Sequence, residues 1–270
     1  MSLGIAIFGV FVALFTSRLY AHDFWIEPTN FRPAVGDEVG LVLRVGQDLS
    51  GDRLPYINDW FSDYRVVAPD GARPVTGLMG DDPAGHFAAL ESGVHVIGYR
   101  STRDFVEMKP EKFRSYLRDE GLESVITLRA ERGDNERPAR EYYSRCAKSL
   151  IDVGGTGQPG AWNADIGYTL ELTPEANPYS LAPGEELPIR LRYLGEPIGG
   201  ILVQAFVADG AEAKIALRTD DEGRVTLRPN RAGLWLIKAV HIIETPDDVR
   251  GAEWESYWAS LTFRLPAREP

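Results

Sequence analysis

Short apolar segments that alternate with polar residues are the feature of this sequence that most limits its fold. Leu187, Ile189, Leu191 and Tyr193 share one face of such a segment, and the turn residues Pro183 and Gly184 precede it. A period of two is typical of β-strands, and turns every 8–12 residues or so are typical of a β-sandwich. Roughly seven segments of this kind between residues 168 and 265 therefore predict an immunoglobulin-like sandwich.

The first half repeats the strand pattern and then interrupts it. Alternating or apolar runs at 39–45, 65–75 and 93–99 predict a second sandwich over residues 22–153. Pro110 opens a stretch with helical spacing of apolar residues, which predicts a short α-helical insertion near residues 110–132. The glycine-rich residues 154–167 are predicted to form a linker. The predicted fold class is all-β, with two immunoglobulin-like β-sandwich domains, the first carrying the helical insertion.

The first 21 residues have the pattern of a signal peptide. The apolar run from Leu3 to Phe15 is too short for a comfortable membrane span, and Leu19-Tyr20-Ala21 resembles a cleavage site. No Lys or Arg precedes the apolar run, so an uncleaved anchor stays open as an alternative. Cleavage after Ala21 predicts a periplasmic or secreted protein without a membrane span.

The composition and motifs of the sequence argue against nucleic acid as a partner, a disulfide-stabilised fold and several enzyme classes. The formal net charge is −11, and an acidic surface repels phosphate backbones, so nucleic acid is not an expected partner. A single cysteine excludes an internal disulfide framework. The familiar sequence motifs of serine hydrolases, zinc proteases and P-loop enzymes do not occur.

His22 becomes the first residue if the leader is removed after Ala21. Its α-amine and its imidazole can then chelate one metal ion through two nitrogens, and nitrogen-rich coordination suits Cu(II) or Ni(II). Metal capture by the amine releases a proton, because the reference pKa of an α-amine is about 7.7–8.0. His22 is therefore the predicted anchor of a metal site.

The other histidines supply the remaining candidate ligands. His86 follows Pro-Ala-Gly in a loop, and His241 ends an apolar strand. Asp23, His95 and Glu244 form a second tier, and each histidine also has a purely structural interpretation. No two histidines have a spacing that places both on one element, so a site made of His22, His86 and His241 requires the fold to bring them together.

Several motifs together resemble one known family. They are Ala-His-Asp-Phe-Trp at residues 21–25, Asp-Pro-Ala-Gly-His at 82–86, Lys112-Phe113 with Tyr116-Leu117 and Glu120-Gly121-Leu122, the strand 233–241 and Trp-Glu-Ser-Tyr-Trp-Ala-Ser-Leu at 254–261. The set resembles an exported family built on a domain of unknown function, which often carries the label of a NikM-type periplasmic component of nickel transport. The resemblance implies a two-part periplasmic β-protein that handles nickel, cobalt or copper, with a membrane transporter component as partner. His95 belongs to none of these motifs.

Three functions remain open from the sequence. The leading prediction is a non-enzymatic periplasmic metal-binding protein, accessory to metal uptake or metallation, with a divalent Ni, Cu or Co ion bound at His22. The first alternative is a non-catalytic module that binds a protein or a glycan. The second is an oxidative copper enzyme with an N-terminal histidine brace.

Overall fold

The computed structural model describes residues 22–158, 160–208, 214–246 and 250–266, and this part of the chain is mainly β-structure. The predicted signal peptide, residues 1–21 with cleavage after Ala21, lies outside the described residues. Within the described ranges, no helix is both long enough and apolar enough to cross a membrane.

The first half of the chain contains most of the strands and both α-helices of the described residues. Its strands are β1 (Asp23–Pro28), β2 (Glu38–Gln47), β3 (Ser50–Leu54), β4 (Phe61–Ala68), β5 (Gly71–Pro74), β6 (His86–Ala88), β7 (Gly93–Ser101), β8 (Asp104–Met108) and β9 (Ala139–Val153). Its helices are α1 (Pro110–Asp119), α2 (Glu123–Glu131) and the 3-10 turn Asn58–Trp60.

The second half contains eight described strands, two of which are 12 residues long, and one 3-10 turn, Pro178–Ser180. The strands are β10 (Leu170–Pro174), β11 (Leu187–Tyr193), β12 (Glu196–Pro197), β13 (Leu202–Val207), β14 (Ile215–Arg218), β15 (Arg224–Leu227), β16 (Gly233–Glu244) and β17 (Trp254–Leu265). The all-β class and the helical insertion are both confirmed.

Strands from both halves form one central sheet. Its order is β14-β13-β16-β17-β9-β7-β4-β5, with β8 paired to β9. The halves meet where β17 pairs in parallel with β9, from Trp254 opposite Glu141 to Thr262 opposite Ser149. The two sandwiches therefore share this sheet, and two smaller sheets complete them: β1, β2, β3 and β6 in the first half, and β10, β11, β12 and β15 in the second.

The two smaller sheets cover opposite faces of the central sheet. Along β16, Trp235 and Ile237 belong to the core shared with β10, β11 and β15, whereas Leu234 packs into the core beneath β1 and β2. Successive side chains of a strand point to opposite faces, so one apolar strand supplies both cores. This arrangement explains why β16 is apolar at consecutive positions, as expected for a strand buried on both sides.

The two helices cover the end of the central sheet next to β1. Pro110 is the first residue of α1, and Phe113, Tyr116 and Leu117 are buried against the sheet. The core that they enter contains Trp258 of β17. The apolar face of α1 thus fixes where its last turn, near Glu120, meets the sheet.

The predicted linker at residues 154–167 packs against the first half. The backbone N–H of Ala161 donates to the carbonyl of Val94 at 2.7 Å, and the side chain of Arg65 donates to the carbonyl of Ile166 at 2.6 Å. The described part of this segment is therefore held by the sheet, and the halves are joined by packing as well as by the shared sheet.

A buried ion pair connects the central sheet to the sheet of the second half. Lys148 Nζ of β9 donates to Glu171 Oε1 of β10 at 2.7 Å, and both side chains are at most 3% exposed. Glu171 also accepts the backbone N–H groups of Ile166 and Tyr168. Burial lowers the pKa of Lys148, and the charge of Glu171 partly offsets this effect.

We expect the substitution Glu171→Ala to lower the free energy of unfolding by about 3–5 kcal/mol, because it leaves an unpaired ammonium group in the core. Glu186→Ala is the matched control, since the pair of Glu186 with Arg228 is exposed and such pairs contribute less than about 1 kcal/mol. Urea denaturation of the two variants measures the difference. Equal effects of the two substitutions would contradict the structural role of Glu171.

Candidate functional site

A cleft lies beside His22, where β1, β2, α1 and β16 meet. Its volume is about 190 Å³. His22 is half-buried at the start of the described chain. The lining residues are His22, Asp23, Gly46, Gln47, Met108, Lys112, Ser115, Tyr116, Asp119, Glu120 and Lys238.

Three buried charged residues fix the wall of the cleft directly after His22. Lys238 Nζ of β16 donates to Asp23 Oδ1 at 2.6 Å and to Glu120 Oε1 at 2.8 Å. All three side chains are less than a tenth exposed. We call Asp23, Lys238 and Glu120 the β1 clamp, because they hold the first residue of β1 against the central sheet and the end of α1.

The β1 clamp contains one more negative than positive group when all three residues are ionised. Burial disfavours the charged form of Lys238, but Glu120 and Asp23 more than offset this and raise the pKa of Lys238. Burial also raises the pKa of Glu120, against the opposing attraction of Lys238. A single ammonium group shared by two carboxylates thus leaves the clamp short of positive charge.

One carboxylate oxygen of the clamp is buried without a hydrogen-bond partner among the described residues. This atom is Asp23 Oδ2, and Asp23 as a whole is 4% exposed. A buried acceptor without a donor costs free energy. Asp23 Oδ2 is therefore a place where an additional donor or cation would be stabilised.

The formal charges of the residues that line the cleft also favour the binding of a cation. Asp23, Asp119 and Glu120 supply three carboxylates, and Lys112 and Lys238 supply two ammonium groups, which gives a net charge of −1 with His22 neutral. A cleft with a negative balance attracts cations.

The structure places His86 far from His22. His86 of β6 lies opposite Gly40 of β2, whereas Asp23 lies opposite Gly46 of the same strand. Positions 40 and 46 are six residues apart, and six residues of extended strand span about 20 Å. His86 is therefore not brought to the cleft.

His241 lies on the opposite face of the central sheet. It is three residues after Lys238 on β16, so its side chain points away from the β1 clamp. Its ring contacts the ring of Tyr193 at a centroid distance of 4.6 Å, and burial lowers its pKa. The shared site of His22, His86 and His241 that the sequence left open is thus not formed.

The second-tier residues have structural partners, apart from Asp23, which belongs to the β1 clamp. His95 is fully buried in β7, its Nε2 lies 2.9 Å from the carbonyl oxygen of Glu91, and burial lowers its pKa. Glu244 accepts from Arg132 at 3.0 Å on the surface. Neither of them lines the cleft beside His22.

The described side chains limit what kind of metal site is available. Across the described ranges, no group of three or more His, Cys, Asp and Glu side chains is arranged to hold a metal ion. A metal site at His22 would have to combine its imidazole with one nearby carboxylate and, if the chain is cleaved after Ala21, with its α-amine. That mixed nitrogen and oxygen set fits Cu(II) or Ni(II).

A buried carboxylate lies behind Tyr116, which lines the cleft. The hydroxyl of Tyr116 donates to Glu141 Oε1 at 3.3 Å, and Ser256 donates to the same oxygen. The indole N–H of Trp258 donates to Ser256 Oγ at 3.0 Å. Burial raises the pKa of Glu141 to about 7, although the hydrogen bonds from Ser256 and Tyr116 oppose the rise.

Lys238 and Glu120 were not among the site residues predicted from the sequence. Lys238 interrupts the apolar run Leu234–Val240, and a lysine in such a run is expected to have a buried partner. The unusual position of Lys238 is visible in the sequence, but it does not show which carboxylates pair with the lysine.

The family comparison matches most of the chain. The model of a family described as "Domain of unknown function (DUF4198)" matches residues 19–243, which include both Asp23 and Lys238 of the clamp. No curated protein matches the chain.

Among the solved structures, the chain is similar to the D0-D1 domain of intimin. The two are 11% identical, and the alignment covers 90% of this chain and 98% of that chain with a TM-score of 0.22.

We expect the stability of the protein to depend on pH through Glu141. The pKa of about 7 in the folded protein lies above the ordinary value of 4.5, so the folded state binds this proton more tightly. The resulting stability is fully present below pH 4.5 and is lost as the pH rises through 7. At 1.36 kcal/mol per pKa unit, the loss is about 3 kcal/mol.

The substitution Glu141→Gln should remove this dependence, so the variant gains about 3 kcal/mol relative to the unmodified protein between pH 4.5 and pH 8. Urea unfolding at several pH values measures this gain. Glu107→Gln, at an exposed position on β8, is the matched control and should leave the profile unchanged. Parallel pH profiles for Glu141→Gln and the unmodified protein would show that Glu141 titrates normally.

Proposed function

We propose that this chain, which belongs to the DUF4198 family, is a periplasmic or secreted metal-binding protein with His22 as the anchor ligand. Cleavage after Ala21 exposes the α-amine of His22. The amine and the imidazole then chelate one divalent Cu, Ni or Co ion at the cleft.

The observation that carries this proposal is the buried oxygen Asp23 Oδ2, which has no hydrogen-bond partner among the described residues. It belongs to Asp23, the residue directly after His22, and Asp23 is among the residues that line the cleft. A cation held by His22 would satisfy this oxygen, either through direct coordination or through a bound water.

The β1 clamp supports the proposal because it makes the proposed terminus rigid. Lys238 holds Asp23 in place at 2.6 Å, and the next residue but one, Trp25, is fully buried. A chelating amine that is fixed near a carboxylate loses little conformational freedom when a metal binds. A free N-terminal tail would lose much more.

The positions of the histidines favour metal binding over oxidative copper catalysis. A histidine brace requires a second imidazole at the copper ion. His86 and His241 are the histidines that the sequence offered for this role, and neither lies at the cleft.

An accessible site with few protein donors supports a role in metal uptake or metallation. Since the protein supplies few ligands to the ion, a partner protein can add its own ligands and then take over the ion. For metal uptake, the proposed partner is a membrane transporter component.

We expect the protein that starts at His22 to bind one equivalent of Cu(II) or Ni(II) by isothermal titration calorimetry. Six Gly-Ser residues placed before His22 should weaken binding more than about tenfold, because even the loss of an outer-shell partner costs this much. His22→Ala, with the amine retained, should do the same. Binding should also weaken below pH 7, where protons compete for the amine.

His86→Ala and His241→Ala are the matched controls, since each removes one imidazole away from the cleft. Both should bind the metal ion as the unmodified protein does. If the extended protein binds as tightly as the protein starting at His22, the α-amine is not a ligand. If the protein starting at His22 binds no ion, the metal-binding function itself is excluded and the interaction-module alternative takes its place.

A further inference from the structure

A second cleft lies on the first half of the molecule and has no residue in common with the cleft beside His22. Its volume is about 250 Å³. The lining residues are Phe24, Leu54, Trp60, Tyr99, Ser101, Thr102, Arg103, Asp104, Tyr143 and Arg145. Four of these ten side chains are aromatic.

Arg145 is the central charged group of this cleft. Its guanidinium carbon lies 5.4 Å from the ring centroid of Phe24 and 5.0 Å from that of Tyr143. Its backbone N–H donates to Ser101 Oγ at 2.9 Å. The two rings and the backbone bond hold the half-buried side chain in one place.

Arg145 forms no ion pair with a carboxylate among the described residues. The other arginine of the cleft, Arg103, approaches Glu255 at 3.6 Å. The acidic residue of the lining, Asp104, accepts a hydrogen bond from the hydroxyl of Tyr143 at 2.8 Å. Arg145 therefore has guanidinium N–H groups that can form two parallel hydrogen bonds with one carboxylate.

The local charge of the cleft is opposite to that of the protein. Arg103 and Arg145 against Asp104 give a net charge of +1 in the lining, whereas the whole chain has a formal charge of −11. The positive cleft attracts small anions that can enter it, whereas the acidic surface of the protein repels extended polyanions.

The volume of the cleft and the aromatic residues that line it limit the class of ligand further. Pockets for drug-sized ligands have volumes of about 300–1,000 Å³, so 250 Å³ suits a compound with a single ring. Trp60 is 45% exposed at the wall. An indole with a free face stacks on flat apolar surfaces, including aromatic rings and sugar rings.

We propose that this cleft binds a small carboxylate that carries one ring, with the carboxylate on Arg145 and the ring against Trp60. The same chemistry is offered by an aromatic acid and by a sugar acid, so both are included in the test. Binding of this carboxylate does not require the metal ion proposed at His22.

The probes are benzoate and glucuronate, with benzamide as an uncharged analogue of benzoate and acetate as a carboxylate without a ring. We expect at least one ring acid to bind the protein starting at His22 with Kd below 1 mM in calorimetry. Benzamide and acetate should bind at least about tenfold more weakly, because each loses one of the two contacts. Tighter binding of benzoate identifies an aromatic acid, and tighter binding of glucuronate identifies a sugar acid.

Arg145→Gln should weaken the binding of the ring acid at least about tenfold, since it removes the charge-assisted hydrogen bonds. Arg73→Gln is the matched control, because Arg73 pairs with Asp70 in a surface hairpin and lies outside the cleft. Trp60→Ala is the second variant. It changes an exposed wall residue, while the hydroxyl of Tyr99 keeps the backbone carbonyl of residue 60 as its acceptor.

The proposal is overturned if neither acid binds with Kd below 1 mM, if benzoate is the tighter-binding acid and benzamide binds as tightly, or if folded Arg145→Gln retains full affinity. Should Arg145→Gln fail to fold, unchanged binding by Trp60→Ala overturns it instead. Failure here leaves metal binding at His22 untouched, because the two clefts share no residue.

Discussion

The ammonium group of Lys238, held between Asp23 and Glu120, is the interaction on which the site depends. Each of the three residues belongs to a different layer: β16 of the central sheet, β1 of the small sheet and the end of α1. A buried charge is tolerated only where partners surround it, so arrangements of the layers that separate Lys238 from the two carboxylates are disfavoured. The clamp thereby determines where His22 lies.

The first strand of the described chain contributes to both clefts. Asp23 lines the acidic cleft and the neighbouring Phe24 lines the aromatic cleft around Arg145. Consecutive residues of a strand point in opposite directions, which explains how adjacent positions serve two sites of opposite charge. The short segment that follows the predicted cleavage site is therefore important for structure and for both proposed functions.

The sequence predicted local structure well because local structure follows from local patterns. The alternation at Leu187 to Tyr193 and the helix start at Pro110 were both sufficient to place elements correctly. It could not predict that β9 and β17 would join the halves, or that His86 and His241 would lie away from His22, because register and face are decided by contacts across the whole chain. Lys238 was visible as an anomaly in an apolar run, but its two partners are more than 100 residues away.

The parallel pairing of β9 with β17 has a consequence for how the chain acquires its structure. β17, the last of the described strands, inserts beside β9, and the hydroxyl of Thr262 donates to the carbonyl of Ile26 at a separation of 236 residues. Contacts this distant in sequence require large loops to close and slow the folding reaction. A ribosome or a translocation channel releases β17 after the other described strands, so until then the edge of β9 lacks its neighbour and is open to mispairing. The segment around Trp254 to Leu265 thus acts as the closing step of assembly for both halves.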